Sequence, residues 1–268
     1  MSWPDRMRAE QRRLARGGRF QAADVYASVP TTWMQAASRN LNPAAFRVFW
    51  LVNAAWVPSH RTGERGRAVL GYGAIRNPSP RSRCQDKVAP PGRTAIAAGI
   101  RESIQGGFLE LAHAGSRPRG QAGARGQAAE YFVPCREACA MLPAMVAHLP
   151  RVGGKVRLHA ELMRNLASKL SGAALRLLGL LISGGHRDAS GALMDAGPFE
   201  CSVTELGRLL HMPRSSVADA LHELQAKGQL EVEIPGKGRR PASYRLNTRF
   251  AAFSKRARRH SLPAEGVI

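Results

Sequence analysis

The sequence predicts a mainly α fold with small β-hairpin wings, the same unit built twice along 268 residues. Three observations carry this expectation: a diverged internal repeat, apolar spacing of helical period inside the matched blocks, and a turn-rich basic hairpin at the end of each copy. The chain also exceeds the roughly 100–150 residues of the commonest single domain, so two domains are expected, each burying its own core.

The repeat is read directly from matched residues. Leu41-Asn42-Pro43-Ala44-Ala45-Phe46-Arg47-Val48 aligns with Leu170-Ser171-Gly172-Ala173-Ala174-Leu175-Arg176-Leu177 at an offset of 129 positions, and Met34 pairs with Met163 at the same offset. Ile100-Arg101-Glu102 and Gly107 match Leu221-His222-Glu223 and Gly228 at 121, and Tyr131 matches Tyr244 at 113. The offset shrinks in two steps, which puts extra residues in loops in the middle and near the end of the first copy.

The second copy is the clearer one. From Ala173 to Ile182 a nearly continuous apolar run with Leu175, Leu178, Leu181 and Ile182 at helical spacing predicts a buried helix that stops at Gly184-Gly185. Ser202-Val203-Thr204-Glu205 has the capping-box pattern and opens a short helix through Leu210. Pro213 suits the start of the next helix, where Val217, Leu221 and Leu224 form one stripe and Gly228 serves as a left-handed cap. Leu230 to Ile234 alternates apolar and polar, Pro235 to Pro241 is turn-rich and basic, and Ser243 to Leu246 resumes the alternation. Three helices followed by a hairpin make a winged helix-turn-helix.

In the first copy, Phe46 to Trp56 is the first helix, Arg93 to Gln105 the third, and Gly107 to Leu111 begins the hairpin. Leu70 to Asn77 is the one candidate for the second helix, because Pro78, Pro80, Pro90 and Pro91 interrupt any helix between it and Arg93. The expected organisation is a basic N-terminal segment over 1–27, a first winged-helix domain over 28–134, a linker helix over 135–155, a second winged-helix domain over 156–248 and a basic tail over 249–268.

Charge points to the partner. Forty Lys and Arg against 19 Asp and Glu leave +21, and such a surface attracts polyanions and supplies sequence-independent affinity for phosphate. Double-stranded DNA is the expected ligand. No run approaches the roughly 20 apolar residues of a membrane span, so no membrane partner and a cytoplasmic location are expected. Four scattered cysteines, Cys84, Cys135, Cys139 and Cys201, suit a reducing compartment better than a disulfide framework.

A recognition helix meets base edges with its N-terminal residues. In the second copy this selects Arg214, Ser215, Ser216 and Asp219, which lie off the apolar stripe; in the first, Arg93, Thr94, Ala97 and Arg101 occupy comparable faces. The wings add Arg117 and Arg119 in one copy and Lys237, Arg239 and Arg240 in the other, the latter inside a stretch from Pro235 to Ala264 without an acidic residue. Such cations grip phosphates or probe the minor groove. For any single residue, plain solvated surface is the competing explanation.

Enzymatic signatures are missing. Gly236-Lys237-Gly238 is followed by Arg and sits in a turn, unlike a phosphate-binding loop. His159-Ala160-Glu161 lacks the downstream Pro-Cys-x2-Cys of a deaminase. Cys135 and Cys139 have no second ligand pair for zinc. The expectation is a protein without catalytic residues, metal or cofactor.

The Leu-x-x-Ala-Ala-Phe/Leu-Arg opening of the first helix, the Ala220-Leu221-x-Glu223-Leu224-x-x-x-Gly228 third helix and the closing Tyr244 resemble the winged helix-turn-helix domains of plasmid and phage replication-initiation proteins. That resemblance covers about 28–134 and 156–248, and implies binding to repeated origin sequences with host replication proteins as partners. Transcription regulators share the third-helix pattern, so an operator-binding regulator working with transcription proteins is the alternative. A structural subunit holding RNA or protein is the second alternative, and a homodimer stays open.

Overall fold

The computed structural model describes residues 26–56, 67–78, 88–115, 128–133, 155–184, 198–236 and 241–247. The linker helix expected over 135–155 and the two basic ends fall outside these residues, except that Tyr26, Ala27 and Lys155 belong to strands.

The first half runs β1 (Tyr26–Pro30), α1 (Thr31–Asn40), α2 (Pro43–Ala55), β2 (Arg67–Leu70), α3 (Tyr72–Arg76), α4 (Arg93–Gln105), β3 (Glu110–His113) and β4 (Ala129–Phe132). The second runs β5 (Lys155–His159), α5 (Ala160–Lys169), α6 (Gly172–Gly184), β6 (Phe199–Cys201), α7 (Val203–Leu210), α8 (Arg214–Ala226), β7 (Leu230–Ile234) and β8 (Ala242–Leu246). The protein is therefore mainly helical with small antiparallel sheets, and both halves have the same order of elements. Each half holds more than three helices and a hairpin: a strand and a helix come first, and a further strand completes a three-stranded sheet, β2-β4-β3 or β6-β8-β7.

The helix ends follow from local chemistry. Asn42 and Ser171, at equivalent positions, cap α2 and α6 by accepting from Ala45 N at 2.8 Å and Ala174 N at 3.1 Å. Ser202 caps α7 through Glu205 N at 3.1 Å. After α4 and α8 the chain reverses through Gly107 (φ +71°) and Gly228 (φ +62°), the left-handed conformation that glycine adopts without a Cβ clash. In each sheet the central strand carries the repeated tyrosine inward, Tyr131 opposite Ala68 and Leu111, Tyr244 opposite Phe199 and Val232.

The expectation of two separate cores is corrected. One continuous apolar core runs from Ala27 through Leu246 and takes side chains from both halves. The halves join across an approximate two-fold axis. β1 and β5 pair antiparallel with Ser28 opposite Arg157, residues that are themselves equivalent at the offset of 129, and Tyr26↔His159 and Pro30↔Lys155 lie symmetrically on either side. On the same axis, α2 and α6 pack so closely that a Cβ on Gly172 would stand 2.5 Å from the Cβ of its equivalent, Pro43.

Two equivalent arginines cross this junction in opposite directions. Arg47 of α2 donates to Ala167 O in the last turn of α5. Arg176 of α6 donates to Ser38 O at 2.9 Å and Arg39 O at 3.1 Å in the last turn of α1, and to Leu210 O at 2.5 Å at the end of α7. Both are 5% exposed. The last carbonyls of a helix have no partner within it and carry the negative end of its dipole, which makes them suitable acceptors for a buried cation. Side-chain volume is complementary too: Phe46 packs with Phe49 and Trp50, and fills the space left by Gly179, whose Cβ would lie 2.7 Å from the Phe46 ring. Trp50 adds a hydrogen bond to Met163 O at 2.8 Å.

Gly172→Ala should destabilise the fold by about 1–3 kcal/mol through overpacking against Pro43, whereas Gly73→Ala, with open space around the new Cβ, should be neutral or stabilising; chemical denaturation of both variants checks the contrast. Arg176→Met should cost about 2–4 kcal/mol by leaving three carbonyls without their donor, measured the same way. A loss below about 0.5 kcal/mol for Arg176→Met would remove the arginine exchange as the junction's main polar contact.

Candidate nucleic-acid interface

Helices α4 and α8 occupy the same place in the two halves, and each buries one stripe. On α8 these are Val217, Ala220, Leu221 and Leu224; on α4, Ile96, Gly99 and Ser103. Pro213 precedes α8 with φ −57°, preset for helix entry, and Gly92 precedes α4. The buried stripe turns the opposite face outward. Arg93, Thr94, Ala95, Arg101, Arg214, Ser215, Ala218, Asp219 and His222 are exposed, while Ala97 and Ser216 are half-buried.

Superposing the two helices at the offset of 121 sets Arg93 on Arg214, Thr94 on Ser215, the buried Ile96 on Val217 and Glu102 on Glu223. Both helices thus begin with an exposed Arg followed by a hydroxyl residue, and neither has an acid in its first turn. Further along they diverge: Ala98 stands where the other has Asp219, and Arg101 where it has His222. Glu102 and Glu223 serve the fold. The Glu102 carboxylate accepts from Asn42 N at 2.6 Å and from the Asn42 side chain, and Glu223 accepts from Ser171 N at 2.6 Å. Each also opposes the burial-driven lowering of the arginine of the other half, Glu223 for Arg47 and Glu102 for Arg176. Burial brings Arg176 down to about 10, so it remains a cation at neutral pH.

The segments leading into these helices are pinned by the opposite half. In the turn between α7 and α8, His211 Nε2 accepts from Arg39 Nε of the first half at 3.0 Å, beside Leu210 O, which accepts from Arg176 of its own half. His211 itself is left-handed, φ 49°, ψ 46°. Ahead of α4, Val88 N donates to Ser168 O at 3.3 Å; Ser168 is the equivalent of Arg39. Partial burial and then the neighbouring charges of Arg39 and Arg176 hold His211 below its ordinary value, so its neutral form is the one that fits.

Each three-stranded sheet carries an ion pair between described strands. Arg245 pairs with Glu233 across β8 and β7, and Arg67 with Glu130 at 3.4 Å across β2 and β4. Arg245 is thus engaged across the hairpin as well as belonging to the basic run. Ile234, 61% exposed, stands at the end of β7. Arg117, Arg119, Lys237, Arg239 and Arg240, expected in the wings, lie outside the described residues. Tyr131 and Tyr244 are buried phenols, Tyr131 pushed up to about 12 by burial and then by Tyr72, and Tyr244 raised by burial and then by Cys201. Among the described residues no group of three or more His, Cys, Asp or Glu is arranged to hold a metal ion, and no helix is long and apolar enough to cross a membrane.

Sequence reasoning missed Arg39, His211 and the roles of Arg47 and Arg176. For the last two a signal was present: an arginine inside an apolar stretch, Phe46-Arg47-Val48 and Leu175-Arg176-Leu177, recurring in both copies. No protein-family model, curated protein or solved structure matches the chain.

A histidine lowered in the fold binds protons more readily once unfolded. The His211 contribution to stability is therefore full above its unfolded value near 6.5 and declines as pH falls through the lower folded one. Wild type should lose more thermal stability between pH 7.5 and 5 than His211→Asn, which tolerates the left-handed backbone and does not titrate; parallel melting curves would contradict this.

Proposed function

We propose that this protein binds double-stranded DNA sequence-specifically through two winged-helix units, and that it serves as an origin-binding replication initiator of a plasmid or phage. The observation that carries the DNA reading is the matched pair α4 and α8. Each is held by a buried stripe, leaves its outer face free of other described elements and opens with an exposed Arg and a hydroxyl residue. An arginine there can donate two hydrogen bonds to guanine, and Ser or Thr can reach a base or phosphate. Helix-turn-helix followed by a β-hairpin is the winged-helix order, and the net charge of +21 supplies the long-range attraction.

The initiator role rests on the doubled unit together with the Leu-x-x-Ala-Ala-Phe/Leu-Arg opening, whose arginines tie the halves into one body. An operator-binding regulator would use the same surface. A plasmid carrying the gene and a candidate origin of repeated sequence, introduced into a host that lacks both, should replicate; footprinting without replication would favour the regulator.

In quantitative binding assays Arg214→Ala should reduce discrimination for the preferred site by about 1–3 kcal/mol while changing random-duplex binding little. Neutralising Lys237, Arg239 and Arg240 together should weaken binding to all sequences and flatten its salt dependence. Equal losses on specific and random duplex for Arg214→Ala would count against a base-reading role.

A further inference from the structure

Resting on the DNA-binding reading, we propose that one copy of this chain reads an imperfect inverted repeat, with guanine at the matched position of both halves and unlike bases beyond it. The orientation is set by the junction. Ser28 lies opposite its own equivalent Arg157, Pro43 meets Gly172, and the hydrogen bonds Arg47 to Ala167 O and Arg176 to Ser38 O are the same interaction exchanged between halves. These relations define a two-fold rotation. Within each half the exposed helix is tied to the junction helix by the same bond, Glu102 to Asn42 N and Glu223 to Ser171 N, so the rotation also relates α4 to α8.

Duplex DNA has two-fold axes perpendicular to its length, and two helices related by such an axis meet equivalent groove edges only on half-sites that run in opposite directions, as in dimeric helix-turn-helix proteins. A direct repeat would require readers related by translation along the duplex. Here both readers belong to one polypeptide, so they need not be identical. Arg93 and Arg214 carry the shared guanine contact. Asp219 is the one exposed carboxylate on either helix and can accept from the amino group of cytosine, a contact that Ala98 cannot make; Arg101 and His222 differ in the same way. The site therefore has a direction, although the protein scaffold is close to symmetric.

The test is selection of the full-length chain on randomised duplex, followed by binding measurements on the selected site. Two half-sites in inverted orientation, each with a guanine, support the proposal. Arg93→Ala and Arg214→Ala should each relax one guanine, in opposite halves, and Asp219→Ala should flatten one position in the half assigned to α8 and leave the other half unchanged. The combined change Thr94→Ser, Ala95→Ser, Ala98→Asp, Arg101→His gives α4 the outer face of α8, and should shift preference at least 10-fold toward the perfect inverted repeat of the α8 half. Half-sites in direct orientation, a single half-site, or arginine variants that both act on the same guanine would overturn the inverted-repeat proposal and leave DNA binding standing. Failure to retain any duplex above a charge-matched control would overturn both. Should the four-residue exchange fail to fold, as judged by circular dichroism, the single arginine variants decide the matter.

Discussion

The interaction on which the rest of the structure depends is the reciprocal insertion of Arg47 and Arg176 into the carbonyl ends of α5 and α1, helices belonging to the opposite half. A guanidinium removed from water is costly unless its donors are satisfied. Arg176 meets this with carbonyls in the last turn of α1 and, within its own half, at the end of α7, whereas Arg47 places one nitrogen on Ala167 O of α5 and leaves its buried Nε without a partner among the described residues. Glu223 and Glu102 add an opposing charge from across the junction. One set of contacts thus answers two problems, helix ends buried in a core and the registration of two halves that share it.

The same contacts transmit position to the outer surface. Arg176 reaches Leu210 O, one residue from the left-handed His211, and Arg39 from the first half completes the turn that launches α8. On the other side Ser168 receives Val88 a few residues before α4. Each exposed helix is therefore aimed partly by the half to which it does not belong. The spacing between α4 and α8 is a property of the junction more than of either half.

Near symmetry at the junction coexists with asymmetry in the core. The first half concentrates Trp33, Phe46, Phe49, Trp50 and Phe108 in edge-to-face and tilted contacts, whereas the second has leucines at the positions equivalent to Phe46 and Phe49 and glycine in place of Trp50. Phe46 fits because Gly179 gives up side-chain volume beside its ring, and Pro43 fits because Gly172 does the same where α2 and α6 meet. Divergence after duplication is tolerated as long as the summed volume is kept, and the exposed faces of α4 and α8 are free to differ because they contribute little to that packing.

Much was legible in the sequence wherever the physics is local. Periodicity identified α6 and α8, the Ser202 cap and Gly228 set helix ends, and strand alternation marked β7 and β8, because each depends on residues within a turn or two of one another. The repeat of Arg93 on Arg214 was likewise present in the residues. Tertiary structure alone decided that the halves share one core, that β1 pairs with β5, and that Arg47, Arg176, Arg39 and His211 matter, since these contacts join residues separated by 120 to 172 positions. A buried arginine and a surface arginine look alike in a sequence; what distinguishes them is whether a distant helix brings its unpaired carbonyls within reach.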